Sequence, residues 1–201
     1  DYLNSAQIKN QLFLKKNNTS YSIQGRNFDA TKLINQIMNK NDEENSLFSN
    51  FNSQIKLKIE KTYINEVDSI NNLSGVLNFS DNKIIDANLE ATFNNNKKIN
   101  LSIITNDKQE KITRLFTDYP KPLIKRYDFI KGFEEGSLDY YSIKTNGISN
   151  SLMIIDNFKV KKVPVFAKLL SLASLQGIAD LLTGEGIRFT DFEMKFSNNK
   201  G

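Results

Sequence analysis

Along much of the chain apolar side chains recur at every second position, the period of a strand with one dry face and one wet face. In QIKLKIEKTYI, residues 54–64, Ile55, Leu57 and Ile59 fall on one side, and Lys56, Lys58 and Glu60 on the other. The pattern returns in IDANLEATF through Ile85, Ala87, Leu89, Ala91 and Phe93, and in KINLSII through Ile99, Leu101 and Ile103. LSGVLNFS joins them with Leu73, Leu77 and Phe79. Asp81-Asn82 and Asn94-Asn95-Asn96 stand between these runs, and such residues tolerate tight-turn backbone. Residues 53–105 therefore read as an antiparallel meander. A weaker pattern at Ile8, Leu12 and Leu14, then Tyr21 and Ile23, predicts an opening hairpin around Asn17-Asn18. SLDYYSIKT, SLMIIDNFKV and FTDFEMKF add strands, the last with Phe192, Met194 and Phe196 on one face, for about ten in all.

Two segments carry a helical period instead. In NFDATKLINQIMNK, Asp29 is placed to cap, Phe28 and Leu33 to form a staple across the cap, and Leu33, Ile34 and Ile37 to make one apolar stripe. The second, within VPVFAKLLSLASLQGIADLLTGEGIRF, has only Lys168 and Asp180 charged between Val163 and Leu182 and is apolar on nearly every side. Pro164 suits its first turn and Gly184 the left-handed residue beyond its end. A helix this oily must be covered by something. Its length approaches the roughly 20 residues of a membrane span, but Pro164, Lys168, Gln176 and Asp180 interrupt it and argue against spanning. NKNDEENSLFSNFN reads as a polar loop, and DYPKPLIKRYDF as a Pro-marked connection with room for one helical turn. The expected fold is mainly β with two or three helices.

Composition narrows the chemistry. The 201 residues, 39% hydrophobic, suffice for one large domain or two small ones. A net charge of +4 selects no partner. With neither Cys nor His there is no disulfide frame, no thiolate metal site and no imidazole base. Ser171 and Ser174 lie in the apolar run with no base to activate them, and the pair Glu134-Glu135 is better explained by solvent exposure than by acid–base work. Gly184-Glu185-Gly186 lacks the third glycine and the preceding strand of a nucleotide fingerprint and reads as a helix stop. Lys56, Lys58 and Lys61 beside Tyr63, and Lys121, Lys125 and Arg126, are two small basic groups. Glu60 shares the wet face of the first, so a solvated surface is expected rather than nucleic acid. No cofactor and no metal are expected.

The dry faces are the more informative feature, because a long sheet with one apolar side must cover it with a second sheet, helices, membrane or a ligand. On the pattern alone a closed sandwich or barrel core is favoured over a ligand groove.

The C-terminal third changes that balance. Asp156-Asn157-Phe158, Pro164, Ser174-Leu175-Gln176-Gly177-Ile178 and Gly184-Glu185-Gly186-Ile187-Arg188-Phe189 together resemble the signature of the AsmA-like family, in particular its YhdP-type branch. FEEGSLDY at 133–140 and GRNFDATKLI at 25–34 resemble the family more loosely, and residues 50–110 match it mainly in style. The segment YPKPLIKRYDF stands where the family has small residues. The resemblance implies that residues 1–201, which open on Asp1 rather than Met, are one segment of a larger AsmA-like domain with its signature over 151–196. It implies a long antiparallel meander curled into an open groove, with the apolar helix near its C-terminal end. It further implies a non-enzymatic, periplasmic protein of a Gram-negative-type bacterium, held at the inner membrane by an anchor outside this chain and moving phospholipid toward the outer membrane. The groove would be lined by Ile55, Leu57, Ile59, Ile85, Leu89, Phe93, Leu101, Ile103, Phe192, Met194 and Phe196. Phe166, Leu169, Leu170, Ala173 and Ile178 of the helix would form a lid or plug, or simply pack on the sheet. The alternative is a structural or assembly module of the cell envelope, with a closed core or with edge strands that pair with envelope protein partners.

Overall fold

A computed structural model describes residues 2–3, 9–32, 34, 51–126, 130–161 and 186–199. They form one sheet whose strands lie side by side in chain order. The strands are β1 (Tyr2–Leu3), β2 (Lys9–Asn17), β3 (Ser20–Asp29), β4 (Ser53–Tyr63), β5 (Ser69–Ser80), β6 (Lys83–Phe93), β7 (Lys98–Thr105), β8 (Lys111–Thr117), β9 (Phe133–Thr145), β10 (Ile148–Val160) and β11 (Ile187–Asn199). The alternation read in the sequence is the reason they form: in β4, Ile55, Leu57 and Ile59 fall on one side and Lys56, Lys58 and Glu60 on the other, and in β6, Ala87, Leu89 and Ala91 alternate with Asp86, Asn88 and Glu90. Tight turns close the hairpins where asparagine accepts a positive φ, at Asp81-Asn82 (47° and 65°) and at Asn146 (50°) before Gly147.

Three features differ from the sequence expectation. First, among the described residues there is one short helix, α1 (Lys121–Arg126), in place of two or three helices, and no long apolar one. It follows Pro120 in the Pro-marked connection, where the fixed φ of proline favours a first helical turn. Further upstream the chain enters a helical turn at Thr31: the Ile34 amide donates to Ala30 O at 2.8 Å, and Asp29 Oδ1 accepts from the Thr31 amide at 2.9 Å. The expected run at 163–182 lies outside the described residues. No helix among the described residues is long and apolar enough to cross a membrane.

Second, the sheet is not antiparallel throughout, since β3 and β4 pair in parallel. Parallel neighbours require a long crossover, and residues 30–52 supply it. Third, β8 was not foreseen. Its sequence KITRLFT carries apolar groups on both sides, with Ile112 and Phe116 opposite Leu115, so it lacks clean alternation.

Strands touch their sheet neighbours, and α1 rests on β9. The larger core joins Ile124 of α1 to Phe133, Leu138, Ile155, Phe158, Val160 and Ile187. A smaller one joins Ile70, Ala91 and Phe93. Both depend on left-handed residues inside strands. Asn72 (φ 54°) sits in a bulge that places Ile70 and Leu73, three residues apart, in the same cluster. Asn157 (φ 51°) does the same for Ile155 and Phe158.

Candidate functional site

In a sheet, directly paired residues share a face, so the registers can be followed from strand to strand. A central row runs Leu14–Ile23–Leu57–Gly75–Leu89–Leu101–Leu115–Tyr140–Met153–Met194, each residue directly opposite the next. No member carries a charge. At Gly75 (φ 144°) any side chain would fall onto the Asn88 carbonyl, which is why the row has a gap there.

A second row, two residues along, is Tyr21–Ile55–Leu77–Ala87–Ile103–Thr113–Ser142–Ser151–Phe196. The third, on the other side of the central row, passes from Ile59 and Leu73 across the β5–β6 bulge to Ala91, Ile99, Thr117, Leu138, Ile155 and Phe192. The three rows make one apolar face spanning β3 to β11.

Ten of the eleven residues expected to line a groove stand on this face. Leu57, Leu89, Leu101 and Met194 lie in the central row; Ile55, Ile103 and Phe196 lie in the second; Ile59 and Phe192 lie in the third. Phe93 packs with Ala91 just beyond the third row. Ile85 is the exception. It falls at a bulge where Phe79 pairs with Ile84 instead, and its carbonyl accepts the Thr105 hydroxyl at 2.7 Å. The expected lid residues Phe166, Leu169, Leu170, Ala173 and Ile178 lie outside the described residues. Sequence reasoning missed Leu115, Leu138, Tyr140, Met153 and Ile155, which only the register of β8–β10 brings into the rows.

Exposure varies along the face. Ile55, Ile59, Ala87, Ala91 and Phe93 are buried, Leu57, Leu89 and Leu101 are half-buried, and Phe196 is 40% exposed. On β9 and β10 the second row turns polar. Ser142 and Ser151 are buried; Ser151 donates to Ser142 at 3.0 Å, and the Tyr140 hydroxyl meets Ser151 at 3.1 Å.

The opposite face carries the carboxylates of the same strands: Glu60, Asp86, Glu90, Asp139, Asp156 and Glu193 alternate with the rows. It is not uniformly polar, since Ile104 and Phe116 are exposed there.

At the end of β9–β11 where α1 lies, Glu134 and Glu135 enter ion pairs. Glu134 meets Lys161 at 2.9 Å and Lys121 at 3.4 Å. Glu135 meets Arg188 at 2.7 Å and Lys159 at 3.3 Å, while Arg188 also donates to Asn157 Oδ1 at 2.6 Å. The hydrogen bond from Lys161 holds the Glu134 carboxyl below the usual range against a smaller opposing effect of burial, and that from Arg188 does the same for Glu135. These contacts tie together three stretches singled out in the sequence, FEEG, Asp156-Asn157-Phe158 and Gly186-Ile187-Arg188-Phe189. An open polar hollow of about 600 Å³ beside them is lined by Asp118, Glu134, Gly136 and Asn157 among others, apart from the apolar rows.

No family model, curated protein or solved structure matches the chain.

Proposed function

We propose that the apolar face carries the acyl chains of phospholipid, and that the protein is a periplasmic segment of a lipid conduit between inner and outer membranes. The observation that supports this reading is the central row: ten directly paired positions without a charge. At about 4.8 Å per strand the row extends about 43 Å. The three rows span about 13 Å along the strands, close to the roughly 15 Å that one leaflet contributes to a hydrocarbon core of about 30 Å. Tails laid along the strands would thus be covered, with lipids able to succeed one another across them.

Each methylene kept from water gains about 0.8 kcal/mol, so a two-tailed lipid needs such a surface to cross an aqueous gap. Smoothness matters as much as greasiness, because a strong local site would halt movement. The likeness of Asp156-Asn157-Phe158 and Gly186-Ile187-Arg188-Phe189 to the AsmA-like signature supports the same reading, as well as the location at the inner membrane. Partners would be phospholipid and, at either membrane, envelope proteins.

Photo-crosslinking in a Gram-negative host tests it. With a benzophenone amino acid at Leu101, lipid adducts are expected by mass spectrometry; at Asn100, one residue away on the opposite face, they are not. Equal labelling at both positions, or none at either, sinks the proposal.

A further inference from the structure

Among the described residues the sheet has two borders, and they differ. At one, β1 has two residues, and β2 is bulged between Gln11 and Leu12 and carries Lys9, Lys15 and Lys16. Short strands, bulges and lysines keep an edge from pairing with another chain. At the other, β11 runs 13 residues with its register to β10 unbroken by a bulge, and it contains neither Pro nor Gly. From Arg188 to Asn199 every residue of it is half-buried or exposed. Such an edge offers a row of backbone donors and acceptors to an added strand.

The middle of β11 matches itself. Phe192-Glu193-Met194-Lys195-Phe196 has the same residue at both ends and opposite charges on either side of one methionine. When two such strands run antiparallel about a two-fold axis at Met194, Met194 faces Met194, Phe192 faces Phe196, and Glu193 faces Lys195 twice. Neighbouring registers lose this match. An axis at Phe192 sets Asp191 against Glu193, one at Glu193 sets glutamate against glutamate, and one at Lys195 sets lysine against lysine. Like charges directly opposite one another destabilise a strand pair, and opposite charges stabilise it.

We propose that two copies of this chain join through β11, antiparallel about a two-fold axis at Met194. The same patch serves both copies, as a closed two-fold interface requires. Directly opposite residues share a face, so the apolar face of one copy continues onto that of the other: central row meets central row at Met194, and second row meets third at Phe196 and Phe192. The charges keep the partners they have. Lys195 meets Glu193 of its own strand at 2.7 Å, and across the axis each gains a second opposite neighbour, so that the four alternate in sign. Backbone pairing likewise holds whatever else Phe192 touches within its own chain. The joint depends on the edge of the sheet and not on what the apolar face carries.

Sedimentation velocity of the 201-residue chain over a concentration series tests the joint. A species of twice the 23.0 kDa chain mass is expected. Glu193→Lys and Lys195→Glu each set like charges across the axis, and each should weaken self-association about tenfold. Mixing the two variants should restore association, because at these positions one copy then presents only cations and the other only anions. A role confined to the ion pair within one strand predicts no such rescue. The chain has no cysteine of its own, so Met194→Cys should give a disulfide-linked dimer on oxidation. Thr190→Cys, about 27 Å from its counterpart in this register, should not. Four results would overturn the proposal: a chain that stays monomeric at the highest attainable concentration, open-ended assemblies larger than a dimer, mixed variants that fail to associate, or linkage as ready at Thr190→Cys as at Met194→Cys.

Discussion

The face is continuous in register but not in chemistry. On β4–β7 its three rows are wholly aliphatic: Ile55, Leu57 and Ile59; Leu73, Gly75 and Leu77; Ala87, Leu89 and Ala91; Ile99, Leu101 and Ile103. On β8–β11 the same rows hold Thr113, Thr117, Ser142, Ser151 and Tyr140 among Leu115, Leu138, Ile155, two methionines and two phenylalanines. The first half presents no hydrogen-bonding side chain to anything lying on it. The second offers hydroxyls, and thioethers that reshape around irregular contacts. Under the proposed lipid-conduit reading, the first surface would release an acyl chain and the second would orient it. The same difference bears on stability, because the second half holds the larger core, with α1 packed against it.

The largest effect expected follows from that core. Ile155, with no exposed surface, is its most enclosed member, and Ile155→Ala should cost about 2–5 kcal/mol in a urea melt. Leu101→Ala, at a half-buried site in the aliphatic half, should cost less, about 1–2 kcal/mol. The reverse order would mean that β4–β7, and not β8–β11, is the tighter half. A smaller effect belongs to the hydroxyl pair. Ser151→Ala leaves Ser142 and Tyr140 without their partner and should cost about 1 kcal/mol, whereas Ser142→Ala/Ser151→Ala, which removes both buried groups, should cost no more than the single change. Additive losses would show that the two hydroxyls act separately.

Why one half was easier to read than the other follows from the same chemistry. In β4, β6 and β7 polar and apolar residues alternate cleanly, so their dry sides could be assigned from sequence, and the registers then place Leu57, Leu89 and Leu101 side by side. In β8 both sides are apolar, and in β9 and β10 the dry side includes Ser142, Ser151 and Tyr140, so alternation does not mark it. Left-handed residues add to the difficulty. Asn72 and Asn157 change the phase within a strand, which no two-residue period anticipates, and the bulge at Ile85 removes it from the rows for a related reason. The parallel join of β3 to β4 was hidden because it depends on where the chain returns after residues 30–52, and alternation carries no information about strand direction.

The smallest expected effect concerns the ionic end of the second half, which has no counterpart on β4–β7 among the described residues. Glu135, paired with Arg188 and Lys159, and Glu134, paired with Lys161 and Lys121, both have folded-state pKa values below the ordinary 4.5. Such groups bind fewer protons folded than unfolded as the pH falls past that value. Their contribution is therefore complete above about pH 4.5 and is lost as the pH drops through the depressed folded-state values. Because these side chains are largely open to solvent, the contribution is small and screened by salt. Glu134→Gln/Glu135→Gln should lower the melting temperature slightly at pH 7 and low salt, with the difference from wild type shrinking in 1 M salt and again in acid. A difference that persists unchanged in acid would assign the loss to altered packing beside the left-handed Glu135, whose φ of 62° already demands an unusual backbone there, and would remove electrostatics as the reason this end holds its register.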